Sequence, residues 1–190
     1  FPIYAVIAET GDAAKLDEPV PFLADDCQGP GREATVWEHL MAAVDFTDSN
    51  RGSHNIPLTF KSDWNDIIGK FSTQGHGESV FAGQQYVTAV NLLIELAEYA
   101  GKGVDAESLR TGRDLMAKAL LDCAWDGHWW RRGFDDDGNP VGTAGAPFGQ
   151  IFLNPQSWAV LAGLGTHAQN VEAMDRVEER LDTGVGVKII

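Results

Sequence analysis

Apolar residues recur at helical spacing over most of the chain, and the stretches between them are dense in Gly, Pro and Asp. That pattern predicts helices joined by loops. Residues 33–48 carry Val36, Trp37, Leu40, Met41 and Val44 on one face. Residues 78–99 are apolar more broadly: Tyr86, Ala89, Leu93 and Leu96 form one stripe, and Gly83, Val87, Val90 and Ile94 the next. Such a helix must be covered on most sides. The next helix is predicted to start at Asp105 as its N-cap, with Leu109, Met116, Leu120 and Cys123 opposed by Arg110, Asp114 and Lys118. It is buried on one side only. Asn154-Pro155 predicts a cap and first-turn proline for a helix running through the apolar residues 158–164. Residues 168–181 are one-sided again, with Val171, Met174, Val177 and Leu181. A broadly buried helix followed by a half-exposed one, twice over, is what concentric rings of helices require. The predicted fold class is all-α, an α/α toroid or part of one.

Between the helix pairs, residues 128–134 read as a strand, residues 135–140 as its turn, and Val141 as a short return, giving a small inserted β-hairpin. Residues 24–31 read as loop, and no exact repeat or low-complexity stretch is present. Asp135, Asp137 and Asn139 have the spacing that opens a calcium-binding loop. Pro140 and Ala146 stand where that loop needs glycine and glutamate, so a hairpin turn is the better reading.

Composition narrows the picture. With 190 residues, 44% of them hydrophobic, the chain forms one domain or part of a larger one. Its net charge of −14 excludes nucleic acid as a partner, since a phosphate backbone needs clustered Lys and Arg. No run approaches the roughly 20 apolar residues that would cross a membrane and nothing at the N-terminus reads as a signal, so the chain reads as soluble. Its two cysteines, read as reduced and structural, give the expectation of a cytoplasmic protein. Phe1 begins inside an apolar pattern, which suggests a piece of a longer polypeptide. Cys27 and Cys123 lack the spacing of a disulfide framework or zinc site, and His39, His54, His76, His128 and His167 form no HxxxH pair. No metal is expected.

The chemistry-bearing stretch is Lys61-Ser62-Asp63-Trp64-Asn65-Asp66, followed by Gly75-His76-Gly77-Glu78-Ser79 at the opening of the broadly buried helix. Two carboxylates, an amide and an indole in one loop on a helical scaffold could face a cavity. A general acid is a carboxyl group kept protonated by burial or a like charge, and a neighbouring tryptophan offers a face for a sugar ring. The plain structural alternative has Asp63 and Asn65 capping turns and Trp64 in the core. Glu78 is either a second acidic group near the pocket or a helix-start residue favoured by the dipole. His76 reads as a polar loop residue. Trp125, Trp129 and Trp130 read as residues packed on neighbouring helices.

Asp63-Trp64-Asn65-Asp66 and Gly77-Glu78-Ser79-Val80-Phe81 resemble the paired signatures of glycoside hydrolase family 94, the cellobiose, cellodextrin and chitobiose phosphorylases. Further blocks resemble the family's in order: Ala8-Glu9-Thr10-Gly11-Asp12, Ala34-Thr35-Val36-Trp37-Glu38-His39-Leu40, Trp125-Asp126-Gly127-His128-Trp129, Asp136-Asp137-Gly138-Asn139-Pro140 and Asn154-Pro155-Gln156-Ser157-Trp158. Together they cover nearly the whole chain.

This resemblance implies a central part of an (α/α)6 toroid, residues 1–190 forming a single partial catalytic domain without the family's N-terminal β-sandwich and the C-terminal part of the toroid. It implies Asp66 as general acid and Trp64 in the donor-sugar subsite, with Asp63, Asn65 and Glu78 as secondary candidates. The implied chemistry is inverting phosphorolysis of a β-glucosyl disaccharide, cellobiose by default, to α-glucose 1-phosphate. Phosphate is the co-substrate and no cofactor is needed. A single catalytic carboxylate is enough because phosphate is already an anionic nucleophile, whereas an inverting hydrolase needs a second carboxylate to activate water. The family's phosphate-binding residues correspond to positions before Phe1 and beyond Ile190, so these 190 residues alone are expected to be inactive, and the intact enzyme a homodimer. Residues 66–72 differ from the blocks of plain cellobiose and chitobiose enzymes, which raises cellobionic acid phosphorylase, or cellodextrin phosphorylase, as alternatives. A hydrolase on the same toroid and an inactive carbohydrate-binding fragment are the other readings.

Overall fold

The computed structural model describes residues 1–25 and 28–190, with the side chains of residues 67–69 outside the description. Cys27, and the side chains of residues 67–69 within the 66–72 stretch read for acceptor preference, therefore lie outside the description.

Six α-helices occur among the described residues. Helix α1 (Pro2–Thr10) begins with proline, whose missing N–H is harmless in a first turn, and ends where Gly11 turns left-handed at φ 70° and returns its N–H to Ile7. Helix α2 (Val36–Ser49) opens with a capping box: Thr35 Oγ1 accepts from Glu38 N, and the Glu38 carboxylate accepts from Thr35 N. It starts three residues later than its pattern suggests. Residues 33–35 belong instead to β2 (Pro30–Thr35), paired antiparallel with β1 (Pro19–Leu23) in a hairpin that the loop assigned to residues 24–31 had partly hidden.

Helix α3 (Val80–Tyr99) is the centre of the molecule, with Val80, Phe81, Val87, Val90 and Ala97 all at 2% exposure or less. Helix α4 (Gly103–Cys123) packs along it through Ala106, Leu109, Met116 and Leu120. Burying each large aliphatic side chain contributes roughly 1.5–3 kcal/mol. Close approach depends on Gly83, where a Cβ would stand 3.0 Å from Leu120 Cδ2. Asp105 is not the cap. The helix begins two residues earlier, and Asp105, in the first turn, accepts a hydrogen bond from Trp37 Nε1 at 2.8 Å, tying α4 to α2.

Helix α5 (Leu153–Leu161) starts before Asn154-Pro155 and stops short of residue 164. Its first N–H is satisfied by Ile189 O, at 2.9 Å, rather than by an asparagine cap. It meets α3 and α6, while Val160 and Leu161 stay exposed, so the broad burial expected of this segment does not extend to them. Helix α6 (His167–Leu181) has a Thr166/Gln169 capping box and buries Ala173, Val177 and Leu181. Val171 and Met174, expected on the buried face, are exposed because the packed stripe runs through Ala173 instead.

A second small sheet is ordered β3 (Glu78–Ser79), β4 (Gly133–Phe134), β5 (Pro140–Val141), all antiparallel. The inserted hairpin is present, but the strand is far shorter than residues 128–134. Asp126 Oδ1 accepts from the N–H groups of His128 and Trp129, bending that stretch into a turn. Trp129 and Trp130 are core residues at 1% exposure. Asp135 caps the hairpin turn by accepting from Asp137 N, Asn139 N and Asn139 Nδ2. The chain is mostly α-helical with small β inserts. No described helix is long and apolar enough to cross a membrane.

Candidate active site

The loop carrying Asp63-Trp64-Asn65-Asp66 is closed at its base. Ser79 N donates to Pro57 O at 2.9 Å, Thr59 N donates to Gly77 O at 2.7 Å, and Ser72 Oγ donates to Phe60 O at 2.7 Å. Phe60 stands at φ 51°, a left-handed conformation uncommon for a bulky side chain, at the point where the chain enters the loop.

Its far side is clamped by the hairpin turn. The Asp136 carboxylate accepts from the N–H groups of Gln74, His76 and Gly77 and from Thr73 Oγ1, at 2.8–3.2 Å. Desolvation pushes this carboxyl upward, but the hydrogen bonds from Gln74, His76, Thr73 and Gly77 outweigh it and hold its pKa below the ordinary value. A carboxyl depressed in the folded state stabilises above its unfolded pKa and loses that contribution as pH falls through the folded one. Acidification below about pH 4 is therefore expected to loosen residues 73–77 first. Amide hydrogen exchange at Gln74, His76 and Gly77 in wild type and Asp136→Asn reports it: the variant should show the fast exchange at neutral pH, and unchanged exchange would contradict the clamp.

Asp63 lies against Arg132. Arg132 Nη2 donates to Asp63 Oδ1 and Oδ2 at 2.6 and 2.5 Å, and the two side chains are 1% and 6% exposed. Arg132 Nη1 donates to Ser79 Oγ at 3.1 Å, and Ser79 Oγ donates to Asp63 Oδ2 at 2.6 Å while accepting from Ala82 N to cap α3. Burial pulls the Arg132 pKa below its usual value, against the charge and hydrogen bonds of Asp63, which raise it. Asp63 also accepts from Asn65 N at 2.9 Å, the turn-capping role anticipated for it.

Glu78 is likewise engaged. It sits in β3 rather than at the helix start, 1% exposed, and its carboxylate accepts from His54 N at 2.8 Å, His54 Nδ1 at 2.5 Å and Ser53 Oγ at 3.3 Å. The His54 ring stacks on Phe134 at 3.7 Å.

Trp64 and Asp66 differ from both. Trp64 is 68% exposed, its ring edge-on to Phe81 at 6.3 Å, so it is not a core residue. Asp66 opens a 3₁₀ helix, Asp66–Phe71, and is exposed. A cavity of ≈470 Å³ between α1, α2 and α3 reaches Ser62 and Asp63 but is not lined by Trp64 or Asp66. Of the three carboxylates in the two signatures, two are bound in buried contacts and Asp66 faces outward.

The family model for the glycosyl hydrolase 94 superfamily catalytic domain matches residues 1–190. The chain belongs to this superfamily. Within it, the chain is 34% identical over 188 residues to a 3-O-beta-D-glucopyranosyl-beta-D-glucuronide phosphorylase of Paenibacillus borealis, covering 99% of the chain and 24% of that protein. It is 35% identical over 190 residues to a solabiose phosphorylase of the same species, covering 97% and 23%. A cellobionic acid phosphorylase of Neurospora crassa is 28% identical over 185 residues, covering 97% and 23%. The chain thus spans about a quarter of the length of the glycosyl hydrolase 94 relatives it matches.

Reasoning along the sequence found the carboxylate and the indole of the loop but missed Arg132, Asp136 and Gln156. Gln156, fully buried in α5, accepts from Trp130 N through Oε1 and donates through Nε2 to Trp130 O and Phe152 O, fixing the tryptophan turn beneath the hairpin. Of these, Arg132, a charge inside the aromatic stretch Trp129 to Phe134, carried a signal along the chain; Asp136 in an acidic turn and Gln156 beside Asn154 and Ser157 did not.

Proposed function

We propose that this chain is a section of the (α/α)6-toroid catalytic domain of an inverting disaccharide phosphorylase, with Asp66 as general acid and Trp64 at the donor sugar. One observation carries the assignment. Asp63 is neutralised by Arg132 and Glu78 is held by His54 and Ser53, which leaves Asp66 by elimination as the uncommitted signature carboxylate. Its exposure is the opposite of the burial expected for a general acid, so this reading requires the bound sugar to supply the desolvation. Asp66 would deliver a proton to the glycosidic oxygen while phosphate attacks the anomeric carbon from the opposite face, giving an α-sugar 1-phosphate. Inversion by an anionic nucleophile needs no second carboxylate on this loop. Phosphate is a co-substrate, and the chemistry requires neither metal nor organic cofactor.

The donor sugar is a β-glucosyl unit and cellobiose the default substrate, with cellobionic acid or a cellodextrin as alternatives. Acid sugars appear in the names of two relatives, a glucuronide and cellobionic acid, which supports testing an anionic acceptor. The enzyme is proposed to act in the cytoplasm as a homodimer.

The test is to incubate the natural polypeptide with cellobiose, cellobionic acid and cellodextrins, with and without phosphate, and to follow products by phosphorus and proton NMR. Phosphate-dependent formation of α-glucose 1-phosphate is expected. Phosphate-independent release of glucose would replace this reading with a hydrolase, and tryptophan fluorescence that titrates with sugar without turnover would replace it with a binding module.

A further inference from the structure

We propose that Arg132 is a positioning residue for the acid-bearing loop: its guanidinium joins Asp63 to the capping serine of α3 and so sets where Trp64 and Asp66 stand. The inference rests on the assignment of Asp66 as general acid.

Arg132 is fixed at its own backbone before its side chain does anything. Its N–H donates to Val141 O at 2.8 Å across the hairpin, and its carbonyl accepts from Val80 N at 3.3 Å at the first turn of α3. From that frame the guanidinium reaches the loop by two routes. One is polar: both Asp63 oxygens accept from Nη2, and Ser79 Oγ accepts from Nη1 while donating to the same carboxylate, a closed triangle of three side chains. The other is aromatic: the guanidinium carbon lies 5.3 Å from the centre of the Phe81 ring, whose neighbours are the edge-on rings of Trp64 at 6.3 Å and Trp158 at 5.9 Å. Trp64 and Asp66 are one and three residues beyond Asp63, so any shift of the anchored carboxylate moves both.

A buried ion pair adds little net stability, because desolvation offsets most of its attraction. Its main effect is geometric. Three segments far apart in sequence, the 63–66 loop, the start of α3 and the hairpin, acquire one relative placement through one side chain. An arginine suits the task because its planar fork satisfies two acceptors at fixed angles, which an ammonium does not.

The experiment uses the natural polypeptide and compares Arg132→Met/Asp63→Asn, which removes both charges together, with Arg132→Lys and Asp66→Asn. Thermal unfolding by circular dichroism establishes folding, and kcat, KM and the pH dependence of kcat/KM are measured for phosphorolysis. The double variant is expected to unfold cooperatively, with kcat lowered about 100-fold, the size of effect a misplacement near 1 Å produces, and KM within about threefold of wild type. The alkaline limb of its pH profile, which reports the proton donor, should shift or flatten. Arg132→Lys should show a smaller loss with the same change of limb, and it decides the matter by those readouts if the double variant does not fold. Wild-type kcat in a folded variant, or a rate lowered by one factor at every pH, overturns the proposal. An Asp66→Asn variant that keeps its rate would instead remove the general-acid assignment, whatever Arg132 does.

Discussion

Phosphorolysis by an Asp66→Asn variant is expected to fall about 1,000-fold in kcat, within the range that a positioned general acid contributes. The loss should be large because neither of the other two signature carboxylates is free to stand in. Asp63 is bonded through both oxygens to a guanidinium at 1% exposure, and Glu78 accepts three hydrogen bonds from Ser53 and His54. Asparagine keeps the size and the turn but has no proton to give to a leaving oxygen. KM for phosphate should stay within a few-fold of wild type, since the change removes a proton rather than a binding surface. Steady-state kinetics in both directions test this, and a kcat within tenfold of wild type would remove Asp66 from the mechanism. Asp63→Asn by itself should behave differently, losing stability together with activity because it leaves Arg132 buried beside a neutral amide.

The second large effect concerns a residue without a side chain. Gly133 lies in β4 opposite Ser79, and a Cβ placed there would stand 2.1 Å from the carbonyl oxygen of Glu78. Backbone cannot yield as the tip of a flexible side chain can, so Gly133→Ala must open the β3–β4 pairing. A cost of roughly 3 kcal/mol, at the upper end for overpacking, is expected in urea unfolding of the natural polypeptide. Activity should fall in the molecules that remain folded, since the same pairing carries Arg132 and Glu78 to the loop. Tolerance of alanine at this position with unchanged stability would mean that β4 does not meet β3 as described.

Much of the fold could be read along the chain because it follows from local physics. The broad apolar pattern around Val87, Val90 and Ile94 required a helix covered on most sides, and α3 is that helix. The alternation of α4 and the turn chemistry of Asp135 to Asn139 were equally local. Where local signals competed, the tertiary contact won. Asp105 looks like a cap yet accepts from Trp37 of α2, and Asn154 looks like a cap although the first N–H of α5 is met by Ile189 O. Val171 and Met174 complete an apolar stripe on paper, but the groove that α6 occupies takes Ala173 and Val177.

The candidate site divides along the same line. Sequence by itself determined that Asp63, Trp64, Asn65 and Asp66 share a loop ahead of an inner helix, because spacing of a few residues is a covalent fact and the helical period of α3 is a local one. Only the tertiary structure decided which carboxylate is bound and which faces outward. That distinction depends on Arg132, 69 residues from Asp63, and on Ser53 and His54, 25 and 24 residues from Glu78. Coulombic and hydrogen-bond partners are chosen by distance in space, and no periodicity along the chain encodes it.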